Sequence, residues 1–91
     1  MNLISFAIFE KRYLEVVNLI GKYLNSEEKL QPERIKKMYI DRAEAFLNLG
    51  KNKECLDDCE EAQSLGVSLM KVYHLKTKAF LERGEVNVNI F

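Results

Sequence analysis

Apolar residues in the first quarter of the chain recur at the three- and four-residue spacing of an α-helix. The residues that follow this spacing are Phe6, Phe9, Tyr13, Val16, Val17, Ile20, Tyr23 and Leu24. A charged run at residues 10–12 interrupts the pattern, which predicts a short first helix followed by a longer second one. The polar residues 25–31 then predict a loop.

Helix-breaking residues divide the rest of the chain into three further helices. Pro32 fits the first turn of a third helix, where its missing N–H has no intrahelical partner to lose, and Gly50 ends that helix. The predicted N-caps and stops of the next two helices are Asn52, Gly66, Ser68 and Gly84. Residues 85–91 fit either the start of another helix or an extended tail. The pattern thus predicts four complete helices and a partial one at each end.

Each of these three helices has an apolar face that we expect to be buried. On the third helix it consists of Ile35, Tyr39, Ala43 and Phe46. On the fourth and fifth it consists of Cys55, Leu56, Cys59 and Ala62, and of Val72, Tyr73, Ala79, Phe80 and Leu81. The acidic residues of the fourth helix are predicted to form its solvated outer face; they are Asp57, Asp58, Glu60 and Glu61.

Two segments of the chain repeat each other at a fixed offset of 34 residues. Aligned in this way, six of the fifteen positions in 36–50 are identical to those in 70–84. The identical pairs are Lys37 and Lys71, Tyr39 and Tyr73, Ala45 and Ala79, Phe46 and Phe80, Leu47 and Leu81, and Gly50 and Gly84. A period of 34 is typical of helix-turn-helix units, which cannot bury their apolar faces without stacked neighbours. The repeat therefore predicts a single domain built as an α-solenoid.

The composition of the chain argues against nucleic-acid binding and against a membrane span. Fourteen basic side chains balance fourteen acidic ones, whereas nucleic-acid binding usually requires a basic excess, so no nucleic-acid partner is expected. No run reaches the roughly 18 apolar residues that a membrane span needs. Cys55 and Cys59 lie four residues apart on one helix and are expected to be free thiols that pack as small apolar groups. Free thiols favour a reducing, cytoplasmic location.

Few residues are candidates for catalysis or for metal binding. Cys55, Cys59 and His74 are three soft ligands, one fewer than a structural zinc requires. A nucleophilic cysteine needs exposure beside a base, but both thiols are predicted on a packing face and His74 on the opposite side. We therefore expect no enzyme, no metal and no cofactor. The alternative, a thiol-redox protein, would require an exposed cysteine of low pKa.

Residues 39–67 resemble a tetratricopeptide repeat. Tyr39 and Phe46 stand at its aromatic sites, Ala43 and Ala62 at its small sites, and Gly50 at its turn. Asn52 stands at a site usually aromatic, and Val67 at one usually proline. The resemblance implies an all-α, right-handed solenoid of antiparallel helix pairs within one domain, 1–91. A complete repeat at 36–69 would follow a degenerate one at 1–31 and precede a truncated one at 70–91.

The resemblance also implies a binding face. In such repeats the first helix of each pair lines a concave surface that contacts protein ligands. Carried over, this places Lys37, Ile40, Asp41, Glu44, Leu47, Asn48, Lys71, His74, Leu75, Lys78 and Glu82 on the concave side. The candidate protein-binding residues among them are Lys37, Asp41, Glu44, Lys71, His74 and Lys78. Alternatively, these charges pair with one another across adjacent helices.

The function that the resemblance implies is a protein–protein interaction scaffold or adaptor. Apolar residues at both ends, 3–9 and 86–91, predict docking into a larger assembly, self-association, or continuation of the array. The alternative is a co-chaperone-type module that recognises acidic C-terminal tails through a clamp of basic and amide side chains. Lys71 stands at one site of that clamp, whereas Asp41 and Leu75 depart from it.

Overall fold

The computed structural model describes residues 3–26, 30–66 and 69–83, and every regular element in those ranges is an α-helix. The helices are α1 (Leu3–Phe9), α2 (Tyr13–Leu24), α3 (Pro32–Asn48), α4 (Asn52–Ser64) and α5 (Leu69–Arg83). The all-α class is therefore confirmed for the described residues. None of these helices has the length and apolar character needed to cross a membrane.

The helix boundaries follow the breaks in the sequence pattern. Residue Lys11, with a φ of 58°, lies in the turn between α1 and α2, where the charged run interrupts the apolar spacing. Pro32 is the first residue of α3, as predicted. The turns after α3 and α4 contain Gly50 and Gly66 at φ 76° and 85°, a left-handed conformation that glycine adopts without steric cost.

The predicted cap of α4 is wrong. Asn52 is the first helical residue of α4, and Lys51 occupies the N-cap position without a side-chain hydrogen bond. A cap must have non-helical backbone, but the tight turn through Gly50 already places Asn52 inside the first turn. Its Oδ1 atom is buried and has no hydrogen-bond partner among the described residues. The predicted cap at Ser68, the stop at Gly84 and the open segment 85–91 lie outside the described residues.

The helices pack mainly against their neighbours in sequence, and α3 also contacts α5. One apolar cluster joins α1, α2 and α3; its buried residues are Ile4, Ala7, Val16, Ile20, Met38 and Ala45. A second cluster joins α3, α4 and α5 and contains the whole predicted stripe of α4, namely Cys55, Leu56, Cys59 and Ala62. Because α3 contributes to both clusters, it is the central helix of the described fold.

Several side chains differ in burial from the prediction because the helices have unequal numbers of packing neighbours. Ile40, Leu47 and Leu75 were expected on the concave side, but all three are buried. Since α2, α4 and α5 all pack on α3, more of its circumference is covered than one apolar stripe predicts. Leu75 lies on the side of α5 that packs in the cluster with α3 and α4. Conversely, Tyr73 and Leu81 of α5 were expected to be buried and are more than half exposed, because among the described helices α5 packs only against α3 and α4.

Asp58 is also not on a solvated face. It is only 4% exposed and accepts two hydrogen bonds from Arg42, Nε to Oδ2 at 2.7 Å and Nη2 to Oδ1 at 2.8 Å. The guanidinium lies over the rings of Tyr39 and Phe46, 5.6 and 5.8 Å from their centroids. The hydrogen bond with Asp58 raises the pKa of Arg42. The other acidic residues of α4 that were expected on its surface, Asp57, Glu60 and Glu61, are exposed.

Candidate protein-binding groove

A groove of about 380 Å³ lies between α3 and α5. Its lining residues are Glu33, Lys36, Lys37, Ile40, Asp41, Gly66 and Lys71. Three of the candidate binding residues, Lys37, Asp41 and Lys71, are among them. The lining combines one mostly buried aliphatic side chain, Ile40, with charged side chains of both signs. We call this site the α3–α5 groove.

Helical spacing brings the candidate residues of α3 to one side of that helix. Lys37, Asp41 and Glu44 follow one another at intervals of four and three residues, which places their side chains on the same face. Lys71 of α5 lies opposite Glu44, with its Nζ atom 3.1 Å from the carboxylate Oε2. The expectation that charges pair across adjacent helices is therefore confirmed for Glu44 and Lys71.

Two further ion pairs lie within α3 along the groove. Lys37 Nζ donates to Asp41 Oδ2 at 3.0 Å, and Lys36 Nζ donates to Glu33 Oε1 at 3.1 Å. The side chains of Lys37, Lys71 and Glu44 are about half exposed or more. Exposed pairs of this kind contribute only about 0–1 kcal/mol each, so a ligand can displace them at small cost.

Asp41 is the most enclosed charge of the candidate set. Its side chain is 13% exposed, and it lines two smaller recesses besides the α3–α5 groove. One recess, of about 50 Å³, includes Ile4 and Ser5 of α1. The other, of about 110 Å³, includes Ile8 of α1 together with Glu44. Asp41 thus lines the groove between α3 and α5 and also two recesses between α3 and α1.

The structure does not gather all six candidates at one place. His74 and Lys78 are exposed on α5, and within the described ranges neither lines the α3–α5 groove. Lys36, Glu33 and Gly66 do line it, and sequence reasoning missed them. The three-residue spacing of Glu33 and Lys36 gives a signal for the first two. Gly66 lies in the turn after α4, and the sequence pattern does not predict where that turn lies relative to α3.

The two thiols lie away from this groove. Cys55 and Cys59 form no disulfide and are fully buried, as predicted, in the cluster that joins α3, α4 and α5. A hydrogen bond with Cys55 lowers the pKa of the Cys59 thiol, and the charge of Lys76 acts in the same direction, while burial opposes both. Across the described ranges, no three His, Cys, Asp or Glu side chains are arranged to hold a metal ion.

We expect both thiols to react with a maleimide about a hundredfold or more slowly in the native protein than in the unfolded one. Reaction requires the packing around α4 to open, and buried groups exchange with solvent only through such opening. Rates are read site by site by peptide mass spectrometry. In the Ser64→Cys control, the new thiol on the exposed end of α4 should react rapidly. If Cys59 in the native protein reacts with the maleimide as fast as the thiol introduced by Ser64→Cys, the result would support the thiol-redox alternative.

Comparisons with known proteins give one informative match. No protein-family model matches the chain, and no solved structure matches it. The chain is 39% identical over 74 residues to the zinc finger CCCH domain-containing protein 7A of Homo sapiens, a match that covers 80% of this chain and 8% of that protein. The chain therefore spans less than a tenth of the relative's length, and the relative's activity as a whole does not transfer to it.

Proposed function

We propose that the chain is a tetratricopeptide-like module that serves as a protein–protein interaction scaffold or adaptor. In this proposal α1 with α2, and α3 with α4, are antiparallel pairs of a right-handed solenoid, and α5 begins the next pair. The support is the 34-residue internal repeat together with the packing of α3 against both α4 and α5. Partner binding, and not catalysis, is its proposed activity.

The observation that carries the proposal is the α3–α5 groove. Lys37 and Lys71 occupy equivalent positions 34 residues apart, and both line this one groove. An apolar floor at Ile40 with charged side chains around it matches the composition of protein interfaces, which combine a buried apolar centre with a polar rim. A partner segment would lie along the groove and replace the exposed ion pairs of α3 and α5 with its own.

Exposed apolar residues support the second part of the proposal, docking into a larger assembly. On α1, Leu3, Phe6 and Phe9 are all exposed, and clustered apolar surface of this kind usually marks an interface. We place this assembly in the cytoplasm, because buried cysteines that form no disulfide suit a reducing compartment.

The acidic-tail alternative receives less support. Leu75, at the site where the clamp would have an arginine, is 2% exposed and belongs to the core. A substitution there would disturb packing before it could reach a ligand. The relative's name points to a CCCH zinc finger, a site of three cysteines and one histidine. This chain has two cysteines and one histidine, so we propose no zinc site in it.

We expect Lys71→Glu and Glu44→Lys each to weaken partner recovery roughly fivefold, a loss of about 1 kcal/mol. Each substitution breaks the Glu44–Lys71 pair and places two like charges at the groove. The measurement is co-purification of the tagged chain from its native lysate at low and high salt, with quantification of each partner. Helicity by circular dichroism should not change, since both side chains are half exposed.

Two controls separate recognition from structure. The exchanged protein Glu44→Lys with Lys71→Glu re-forms the pair with reversed sign, so binding that stays weak shows that the partner reads these charges. Asp57→Lys, on the exposed face of α4, should leave recovery unchanged. Binding that responds only to Asp57→Lys would move the site to the opposite face. Recovery of chaperones alone, lost as salt rises, would favour the acidic-tail alternative.

A further inference from the structure

Helix α4 holds two thiols next to each other in the interior of the protein. Cys55 and Cys59 are four residues apart, and both are 0% exposed. Residues at this spacing lie on the same face of a helix, and here that face belongs to the cluster that joins α3, α4 and α5. A hydrogen bond joins the two thiols. Partner binding at the α3–α5 groove makes no use of this pair.

The spacing of the two cysteines disfavours a disulfide but suits a bridging metal ion. Cβ atoms four residues apart on a helix are about 5–6 Å from each other, whereas a disulfide needs about 3.5–4.5 Å between them. Two metal–sulfur bonds of roughly 2.3 Å each, the length of a zinc–thiolate bond, would bridge the longer separation. The pair is therefore better placed to chelate an ion than to oxidise to a disulfide.

The number and type of donor atoms indicate which ion the pair would bind. Thiolates are soft ligands that select Cu(I), zinc and iron–sulfur clusters, but structural zinc and the clusters each take four ligands. Among the described residues, no third Cys, His, Asp or Glu completes a group that could hold such a site. Cu(I) is a soft, closed-shell ion that accepts two thiolates alone. We propose that Cys55 and Cys59 bind one Cu(I) ion.

A positive charge near the pair would stabilise this complex. On binding Cu(I) the two thiols release two protons, and the resulting bis-thiolate complex carries one net negative charge, which is costly to bury without a counter-charge. Lys76 of α5 donates a hydrogen bond to Gln63 at 3.3 Å, and Gln63 lies one turn after Cys59 on α4. The charge of Lys76 acts on Cys59, so Lys76 supplies the counter-charge.

Two carboxylates near Cys59 act against Lys76, but their effect is limited. Asp58 and Glu60 are the residues concerned. Arg42 neutralises Asp58 through two hydrogen bonds, and Glu60 is exposed, where solvent and salt screen its charge. Lys76 therefore remains the counter-charge available to the thiol pair.

The test titrates the full, reduced chain without oxygen against Cu(I) held by bicinchoninate, whose absorbance reports the copper that it loses. The chain should remove one Cu(I). Cys55→Ala and Cys59→Ala should each weaken binding by about a hundredfold or more, because even groups that only support a metal ligand contribute about 10–100-fold. Since the ion must enter a packed interior, the chain is loaded both in the native state and during refolding from urea, and both routes should give the same affinity.

A matched pair of lysine variants tests the counter-charge. Lys76→Met should weaken Cu(I) binding about tenfold, at the lower end of the range for supporting groups. Lys78→Met, two residues later on α5 and exposed, should leave the affinity unchanged. Equal affinities for Lys76→Met and Lys78→Met would overturn the role assigned to Lys76.

The urea midpoint distinguishes a site built by the fold from two cysteines that bind copper in any conformation. An ion that binds the folded state preferentially raises the midpoint, so Cu(I) should raise that of the parent chain and not that of Cys55→Ala or Cys59→Ala. A midpoint that falls would mean that the unfolded chain binds the ion more tightly, and would overturn the inference. No transfer of Cu(I) from bicinchoninate, or an affinity that Cys59→Ala leaves unchanged, would overturn it as well.

Discussion

Asp58→Ala should lower the free energy of unfolding by about 3 kcal/mol or more, because breaking a buried ion pair leaves an uncompensated charge in the interior. Asp58 is almost fully buried and accepts two charge-assisted hydrogen bonds from Arg42. Without the carboxylate, the guanidinium of Arg42, whose side chain is only 22% exposed, loses its partner. Urea denaturation followed by helical circular dichroism measures the change.

The neighbouring carboxylate provides the matched control. Asp57 is one residue away on α4 but exposed, and among the described residues it forms one ion pair, with Lys53 at 3.2 Å. Asp57→Ala should change stability by no more than about 0.5 kcal/mol, as exposed substitutions usually do. If Asp57→Ala and Asp58→Ala lower the free energy of unfolding equally, the buried ion pair does not stabilise the packing of α3 on α4.

A double replacement separates the value of the pair from the cost of breaking it. Arg42→Met with Asp58→Leu removes both charges and keeps apolar volume between α3 and α4. Such exchanges are often neutral or stabilising, so the double variant should be more stable than Asp58→Ala alone. A double variant as unstable as Asp58→Ala would mean that the loss comes from packing and not from an unpaired charge.

Helix boundaries could be predicted because the residues that set them act locally. Pro32 fixes the start of α3 through its own ring, and Gly50 permits the left-handed turn that ends it. The burial of Asp58 could not be predicted in this way. It lies among acidic residues, and its partner Arg42 is sixteen positions earlier on another helix. Only the packing of α3 on α4 brings the two side chains together.

The same limit applies to the candidate groove. The 34-residue repeat placed Lys37 and Lys71 in equivalent positions, and both line the α3–α5 groove. Helical spacing could not show that Ile40 lies partly under α5 while still lining the groove, because the buried arc of a helix depends on how many neighbours surround it. Sequence periodicity gives the direction of a side chain around its own helix, and tertiary packing decides whether another helix covers it.

Ala43→Leu should unfold a large fraction of the protein. Ala43 is fully buried on α3, in the cluster that includes Cys55 and Cys59 of α4. Three added carbon atoms at this contact force α3 and α4 apart, and overpacking of this kind typically costs about 1–3 kcal/mol. We expect a lower urea midpoint and a loss of helical circular dichroism at 37 °C.

The internal repeat supplies a control for this prediction at an equivalent site. Thr77 occupies on α5 the position that Ala43 occupies on α3, 34 residues earlier, and it is exposed. Thr77→Leu introduces the same side chain where no described helix covers it, so it should cost less than about 0.5 kcal/mol. The difference between the two variants then measures the contact with α4 and not the leucine itself. If both substitutions lower the free energy of unfolding by the same amount, the close packing of α4 on α3 does not limit the size of the side chain at position 43.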